Sequence, residues 1–424
     1  MTFLKNKIIG LIGLLLILAS CGTTNHIKRD LKKSHKKSSF FKGFVLYNPK
    51  TKKEIINHNG VKYFTPASNT KLYTFYTAYK ALGDSVLSLA YYKAKDSLLI
   101  KGTADPSFLY GFESTKVFNF LKQQKDTIYL VDASIDEDVY GSGWAWDDYS
   151  YYYMPEKSLF PMYGNIVTYN YDGNSSTSRP SFFKQNIQVL DTVKQTRELN
   201  KNKFYFPRNR LKDREVPFIT STKLVAKLLS DTLKKVIKVI PDNNQYNYKK
   251  IKGIPYDSLY RKLLVVSDNF IAEQLLLQVG KKVSNTYNVT EAIAYSLTHY
   301  LQDLPQKPRW VDGSGLSRYN LFSPNDMVFL LDKMYTEIPL QKLLGYFPAG
   351  GVSGTLKNSY EQTTKPYIFA KSGSLSNNYN LSGFIITKKG TVLIFSYMNN
   401  HYKIKTATVK KEMEETLKMI YNSY

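Results

Sequence analysis

Thr65-Pro66-Ala67-Ser68-Asn69-Thr70-Lys71-Leu72-Tyr73-Thr74-Phe75-Tyr76 is the stretch on which the fold turns. It continues with Tyr79 and Leu82 at helical spacing and closes at Gly83, so it predicts an apolar helix with Ser68 at its mouth. Ahead of it, Phe44-Val45-Leu46-Tyr47 and Glu54-Ile55-Ile56 flank Asn48-Pro49-Lys50-Thr51, turn chemistry between apolar stretches that predicts a hairpin. A serine at a helix N-terminus with a lysine one turn on can become a nucleophile. The lysine takes the hydroxyl proton if burial or nearby positive charge lowers its pKa, and the helix end favours the negative charge that develops. Spacing alone does not decide the matter, because Ser34/Lys37, Ser39/Lys42 and Ser181/Lys184 share it, and a simple cap would equally account for Ser68.

Working outward, Val265-Val266-Ser267-Asp268-Asn269 sets a polar trio between apolar segments where a helix begins. It reads as a cap, or as a second hydroxyl (Ser267) that relays a proton and an amide (Asn269) that holds Lys71 and the substrate backbone. Ala370-Lys371-Ser372-Gly373-Ser374 falls on a predicted strand, where Gly373 lets a ligand's backbone come close or the run is a polar strand end.

Between about Ala90 and Pro217 the pattern changes to short β-like runs, Ser97 to Ile100 and Thr127 to Val131 among them, with a Tyr- and Trp-rich stretch from Tyr140 to Tyr171. Helical periodicity returns at Thr222 to Ile240, Phe270 to Val279, Thr290 to Leu301 and after Ser323-Pro324, and is assigned to a helical lobe. Tyr367 to Ser372, Ser382 to Ile386 and Thr391 to Tyr397 read as strands, and Thr406 to Tyr421 as a closing amphipathic helix. The expected organisation is 1–21 signal peptide and lipobox, 22–39 basic tether, 40–90 with 218–424 a discontinuous catalytic domain, and 91–217 an inserted β-rich domain.

The N-terminus reads as a processing signal: Lys5 and Lys7 precede an apolar run from Ile8 to Leu18 that is short for a permanent membrane helix. Its end, Leu18-Ala19-Ser20-Cys21, resembles a bacterial lipoprotein processing box, with Cys21 the lipidated residue. Cys21 is the only cysteine of the 424 residues, which excludes an intramolecular disulfide and a thiolate zinc site. The formal charge of +25 would suggest nucleic acid inside a cell, but export leaves lipid headgroups and wall polymers as the available polyanions. At 43% hydrophobic and 14% aromatic, the chain has ample material for buried cores.

Together the three motifs resemble the set carried by penicillin-binding proteins and class A β-lactamases, with Lys371-Ser372-Gly373 in place of Lys-Thr-Gly. Asp312-Gly313-Ser314-Gly315-Leu316-Ser317-Arg318, Gly350-Gly351-Val352-Ser353-Gly354-Thr355-Leu356 and Gly102-Thr103-Ala104-Asp105-Pro106 are similar to signatures of the class C low-molecular-mass penicillin-binding proteins, the D-alanyl-D-alanine carboxypeptidase/endopeptidases. In the last of these, Ala104 stands where glycine is expected. The resemblance implies an α/β (α+β) fold with a penicillin-binding/β-lactamase-like transpeptidase domain: an antiparallel sheet flanked by helices, a helical lobe, and the β-rich insert.

The resemblance also implies an acyl-enzyme on Ser68 with Lys71 as base, Ser267 and Asn269 as proton relay and positioning amide, and an oxyanion hole from the N–H groups of Ser68 and Ser374. Lys371, Ser372 and Arg318 would draw the substrate's terminal carboxylate, Gly373 would face the peptide, and Lys371 would lower the pKa of Lys71 by repulsion. Trp144-Ala145-Trp146-Asp147-Asp148 resembles the stretch that offers an acid to the free amine of the peptide's diamino acid, and Asp148 takes that role. The implied partners are wall peptides, β-lactams as inhibitors and a membrane through the lipid anchor, with no cofactor, metal or nucleic acid. A β-lactamase and a catalytically silent wall-binding relative are the alternatives. A Ser-His-Asp hydrolase is disfavoured because His26, His35, His58, His299 and His401 fall in no motif.

Overall fold

The computed structural model describes residues 22, 25–29, 39–113, 115–171, 175–208, 214–243, 246–361 and 365–424. The proposed signal peptide, Cys21 and most of the basic tether lie outside the described residues. In chain order the strands are β1 (Phe41–Asn48), β2 (Lys53–His58), β3 (Ser85–Lys93), β4 (Ser97–Lys101), β5 (Thr127–Asp132), β6 (Ile166–Tyr171), β7 (Ser176–Arg179) and β8 (Ile187–Leu190). They continue as β9 (Phe204–Pro207), β10 (Arg214–Pro217), β11 (Ile237–Pro241), β12 (Lys249–Pro255), β13 (Ile368–Leu375), β14 (Asn378–Ile386) and β15 (Val392–Asn400).

The expected hairpin is β1 and β2, with the Asn48 side chain accepting from the N–H groups of Lys50 and Thr51 to hold the turn. It joins the C-terminal strands in an antiparallel sheet of order β13-β14-β15-β1-β2. One face packs Leu381, Phe395 and Tyr397 against the closing helix Thr406–Ser423 through Met413, Leu417 and Ile420, and Ile27 joins this cluster. Phe384 and Ile394 belong to the larger cluster shared with the helical lobe, which comprises the helices Lys71–Ala81, Tyr256–Val265, Asn269–Ser284, Val289–His299, Pro324–Glu337 and Leu340–Tyr346. The Ser323-Pro324 signal is met: Ser323 and Asp326 form a capping box with proline in the first turn.

The helix Lys71–Ala81 is buried on every side from Lys71 to Ala78, the pattern of a central core helix rather than an amphipathic surface one. Its position puts a lysine ammonium in the interior at the first helical residue.

The insert has its own core, in which Leu98, Ile100, Ile128 and Leu130 pack with Val216, Phe218, Val225 and Leu229. Its main sheet has the order β11-β5-β4-β3-β12, with β4, β5 and β11 parallel to one another and β3 antiparallel to both its neighbours. Smaller sheets β10-β6-β7 and β8-β9 lie beside it. The strands of the main sheet span Ser85 to Pro255, wider than the 91–217 expected, and the neck is closed where Tyr256 N–H donates to the Asp84 carbonyl at 3.0 Å.

Thr222 to Ile240 is not one helix of the helical lobe. A helix Thr222–Leu233 packs into the insert core, Lys234 turns the chain in a left-handed conformation, and β11 follows. Periodicity reveals that a helix buries a face but not which neighbour covers it, and the β-branched run Val236 to Ile240 suits an edge strand better than a last helical turn. Ala104, where the resemblance expects glycine, has φ +58°, a left-handed conformation in which glycine carries no Cβ penalty.

Candidate active site

Ser68 lies in a single 3-10 turn, Ala67–Thr70, that opens directly into the central helix. The turn is fixed from three sides. Ala67 adopts φ +50°, and its carbonyl accepts from the Thr70 hydroxyl at 2.9 Å. From the sheet comes a buried polar track at alternate positions of β14: Ser382 Oγ accepts from Asn69 Nδ2 at 2.9 Å, and Asn380 Nδ2 donates to the Thr65 carbonyl at 2.9 Å. From the loop between the helices Val289–His299 and Pro324–Glu337, Gly315 sits so close that a Cβ there would meet the Ala67 carbonyl oxygen at 1.9 Å. Unpaired, these buried polar groups would each cost about 1–3 kcal/mol, so the track specifies one position for the turn.

Lys71 is fully buried and spends its ammonium on three acceptors: Ser68 Oγ at 2.9 Å, Asn269 Oδ1 at 2.6 Å and the Ser314 carbonyl at 2.6 Å. The second and third are obligate acceptors, since Asn269 turns its Nδ2 to the Tyr153 carbonyl at 2.8 Å and thereby aims its oxygen at the lysine. When Lys71 loses a proton its two remaining hydrogens stay with those oxygens, and the lone pair faces the one partner that can donate, the Ser68 hydroxyl. Burial pushes the Lys71 pKa down to about 8, against the pull of Asp312, Glu273 and Asp268 in the other direction.

Lys371 is also fully buried and donates to the Ser372 carbonyl at 2.6 Å. Burial, and after it the charge of Lys71, holds its pKa well below the usual lysine value. Burial is the largest cause on both lysines, and the repulsion between the two cations is mutual, while Asp312, Glu273 and Asp268 favour the proton on Lys71. Lys371 also stands behind the wall of the cleft, where Ser372, Ser374, Thr355 and Arg318 face the opening. Ser372 Oγ donates to Thr355 Oγ1 at 2.8 Å.

In the Ser267-Asp268-Asn269 trio the capping role falls to Asp268, whose side chain accepts from Ile271 N–H at 2.9 Å. That leaves Ser267, on a left-handed φ of +63°, and Asn269 to face the cleft. Gly373 is required by packing: a Cβ would lie 2.4 Å from the Pro66 carbonyl and 3.0 Å from Ser68 N. The strand edge at residues 373 and 374 therefore runs against the serine turn, as a pair of oxyanion donors from Ser68 and Ser374 demands.

The Asp312 loop, quoted in the sequence without a role for its acid, proves to be the underside of the site. Asp312 accepts from Gly315 N–H, Ser317 N–H, Asn320 Nδ2 and Trp144 Nε1 at 2.7–2.9 Å. Glu273, which sequence reasoning missed, accepts from Gly313 N–H at 3.0 Å and Ser314 N–H at 2.7 Å and so holds the carbonyl that meets Lys71. Burial and the charge of Asp312 raise its pKa. The helical stripe of Ile271, Leu275 and Leu276 was legible around it, but no residue pattern marks a core-facing glutamate as the anchor of a distant loop.

A cleft of about 930 Å³ brings together Ser68, Ser267, Asn269, Ser372, Ser374, Arg318 and, from the insert, Asp148. Asp148 is half-buried and accepts from the Tyr153 hydroxyl at 2.9 Å instead of pairing with a surface lysine. Among the described residues no cluster of histidine, cysteine or carboxylates has metal-binding geometry.

Residues 26–194 and 235–420 match the D-Ala-D-Ala carboxypeptidase 3 (S13) family. The chain belongs to that family. It is thus a hydrolase, a serine-type D-Ala-D-Ala carboxypeptidase by class. It is 23% identical over 436 residues to the D-alanyl-D-alanine carboxypeptidase DacB of Haemophilus influenzae, covering 90% of both chains. The crystal structure of penicillin binding protein 4 (dacB) from the same organism superposes with a TM-score of 0.77 at 21% identity, covering 93% of this chain and 99% of that one. The predatory endopeptidase Bd3459 of Bdellovibrio bacteriovorus, in complex with its immunity protein, shares the fold with a TM-score of 0.57 at 13% identity, covering 90% and 92%.

Proposed function

We propose that Ser68 is the acylated residue of an exported, lipid-anchored D-alanyl-D-alanine carboxypeptidase and/or endopeptidase that works on peptidoglycan stem peptides. The observation that carries the reading is the buried Lys71 ammonium shared among Ser68 Oγ, Asn269 Oδ1 and the Ser314 carbonyl. Neutral Lys71 takes the hydroxyl proton as Ser68 Oγ bonds to the carbonyl carbon of the penultimate D-alanine, and the carbonyl oxygen becomes an oxyanion between the N–H groups of Ser68 and Ser374. The proton then passes from Lys71 by way of the Ser267 hydroxyl to the leaving nitrogen, and the C–N bond breaks. Water enters along the reverse route, gives a proton to Lys71 and releases the acyl group with Ser68 restored.

Arg318, with the Ser372 and Thr355 hydroxyls, takes the terminal carboxylate. Lys371 contributes from behind by fixing the Ser372 carbonyl and strand edge, and Gly373 lets the peptide lie close. Asp148, fixed by Tyr153, is suited to the free amine of a diamino acid further along the peptide. β-Lactams acylate the same serine. The relatives' printed names support the reading: one is a carboxypeptidase, and one Bd3459 structure is described as acylated by penicillin G.

For the N-terminus, the Lys5-to-Cys21 pattern supports a lipoprotein signal peptide with the catalytic part in the periplasm or facing the wall. No helix among the described residues is long and apolar enough to cross a membrane. Digestion of purified wall fragments tests the activity: loss of terminal D-alanine reports the carboxypeptidase, loss of cross-linked dimers the endopeptidase, and unchanged fragments refute both. Cell fractionation of the full chain and its Cys21→Ala variant tests the anchor, which predicts that the variant leaves the membrane fraction.

A further inference from the structure

At one end of the antiparallel sheet, Leu375, Asn378, Asn400 and Phe41 form a single cross-strand row over β13, β14, β15 and β1. The Phe41 ring is exposed there and meets the His401 ring edge-on at 5.6 Å. Ile404 follows three residues on. On the other side of β1 the loop after β2 is tied in where Asn59 Nδ2 donates to the Lys42 carbonyl at 2.8 Å, and Val61 stands two residues further along. Phe41, Val61 and Ile404 are 58%, 56% and 46% exposed, whereas Phe44, Leu46 and Ile56 of the same strands are fully buried.

The lysines around these side chains are exposed as well. Lys62, Lys403 and Lys405 make no ion pair among the described residues, and residues 39–42, 59–63 and 401–405 include no carboxylate. Glu412 and Glu54 reach the margin, bonded to Lys42 and to Asn57. Apolar side chains rimmed by unpaired lysines suit the boundary of an anionic bilayer, where rings and aliphatic chains enter the headgroup layer and ammonium groups stay with the phosphates.

A second observation brings a bilayer to this part of the molecule. Residues 25–29 are helical, and Ile27 among them is 1% exposed, held in the cluster that contains Phe40, Tyr402 and the closing helix. Cys21 precedes Ile27 by six residues, so a lipid on Cys21 lies at most about 20 Å along the chain from a point fixed on the catalytic domain. Between Cys21 and Ser39 the sequence sets six lysines and arginines against one aspartate, a composition drawn to anionic headgroups.

We infer that the sheet end bearing Phe41, Val61 and Ile404 with Lys62, Lys403 and Lys405 is a docking face for an anionic lipid bilayer. The inference rests on the lipid-anchor reading above and adds an orientation to it. Ile27 holds the domain close to the membrane, and the exposed residues of the row make the contact. Leu375, in the same row, borders the cleft with Ser376, so the wall peptides within reach are those next to the bilayer.

Because Cys21 is the only cysteine and its sulfur is taken up by the lipid, one added cysteine can carry a polarity-sensitive dye. The lipidated protein is reconstituted in vesicles of phosphatidylglycerol and phosphatidylcholine with the dye on Ile404→Cys or, on the insert, on Val236→Cys, which is also exposed. The expected result is a blue shift and quenching by brominated lipid at position 404 and neither at 236. A dye at 404 that stays in water, or behaves like that at 236, overturns the face. In a second measurement the chain from Gly22 onward, without lipid, is sedimented with the same vesicles. Lys403→Gln combined with Lys405→Gln is expected to weaken that binding about thirtyfold, the loss of two lysine charges at a membrane surface, with benzylpenicillin labelling unchanged as the check on folding. Binding that survives the double change belongs to the basic tether alone, binding as strong to phosphatidylcholine alone needs no lysine, and a preference for wall fragments assigns the patch to wall polymer; each overturns the face. Failure of the anchor reading looks different: intact mass finds no lipid on Cys21, while sedimentation of the chain from Gly22 still decides the face.

Discussion

Ser68/Lys71 and Ser181/Lys184 share one spacing and stand in opposite surroundings. Ser181 begins an exposed 3-10 turn of the insert, its hydroxyl 3.5 Å from Asp231 and its neighbour Lys184 in solvent. Lys71 is sealed inside the helical core, with its pKa pushed down to about 8 and its lone pair directed at Ser68 by two fixed oxygens. A lysine in water holds its proton until about pH 10.4 and is a poor base at neutrality, so the same two residue types carry chemistry in one region and none in the other. What separates them is supplied from elsewhere in the chain: Asn269, the Ser314 carbonyl and the polar track of β14.

The largest way to break the contrast is Lys71→Ala. Loss of the base is expected to slow acylation by benzylpenicillin about 10²–10⁴-fold, while Lys184→Ala acylates at the wild-type rate, both read by stopped-flow. Next in size is pH. Acylation of the wild type is expected to rise with pH through about 8, as Lys71 loses its proton. Glu273→Gln removes a negative charge that favours the lysine proton, so the midpoint is expected to move lower. A profile flat from roughly two pH units below that midpoint to about one above it would remove Lys71 from the role of base.

The smallest effect sharpens a second pairing, between two alanines in left-handed backbone, Ala67 beside the nucleophile and Ala104 in the insert. Ala104→Gly is expected to raise stability by about 1 kcal/mol in chemical denaturation and leave acylation as it was. Ala67→Gly frees a turn that must hold Ser68 still, and is expected to slow acylation whatever it does to stability.

Much of this was legible in the chain. The hairpin, the central helix, the Ser323-Pro324 start and the three C-terminal strands are local patterns, as is the polar trio at the start of the helix Asn269–Ser284, and from these Ser68, Ser267, Asn269 and Ser372 meet at one cleft with Lys71 behind Ser68. The parts that were not legible depend on partners distant in sequence. The helix Thr222–Leu233 looks the same whether the lobe or the insert covers it, and the closure at Asp84 and Tyr256 joins residues far apart in the chain. Glu273 reads as one polar residue on an otherwise apolar helix until the Gly313 and Ser314 amides arrive to meet it.

The central claim is that burial and fixed acceptors single out Ser68, and intact-mass spectrometry after brief exposure to benzylpenicillin tests it most directly. A single stable adduct on the wild type and on Ser181→Ala, and none on Ser68→Ala, is the result expected. Equal labelling of Ser68→Ala would contradict the account.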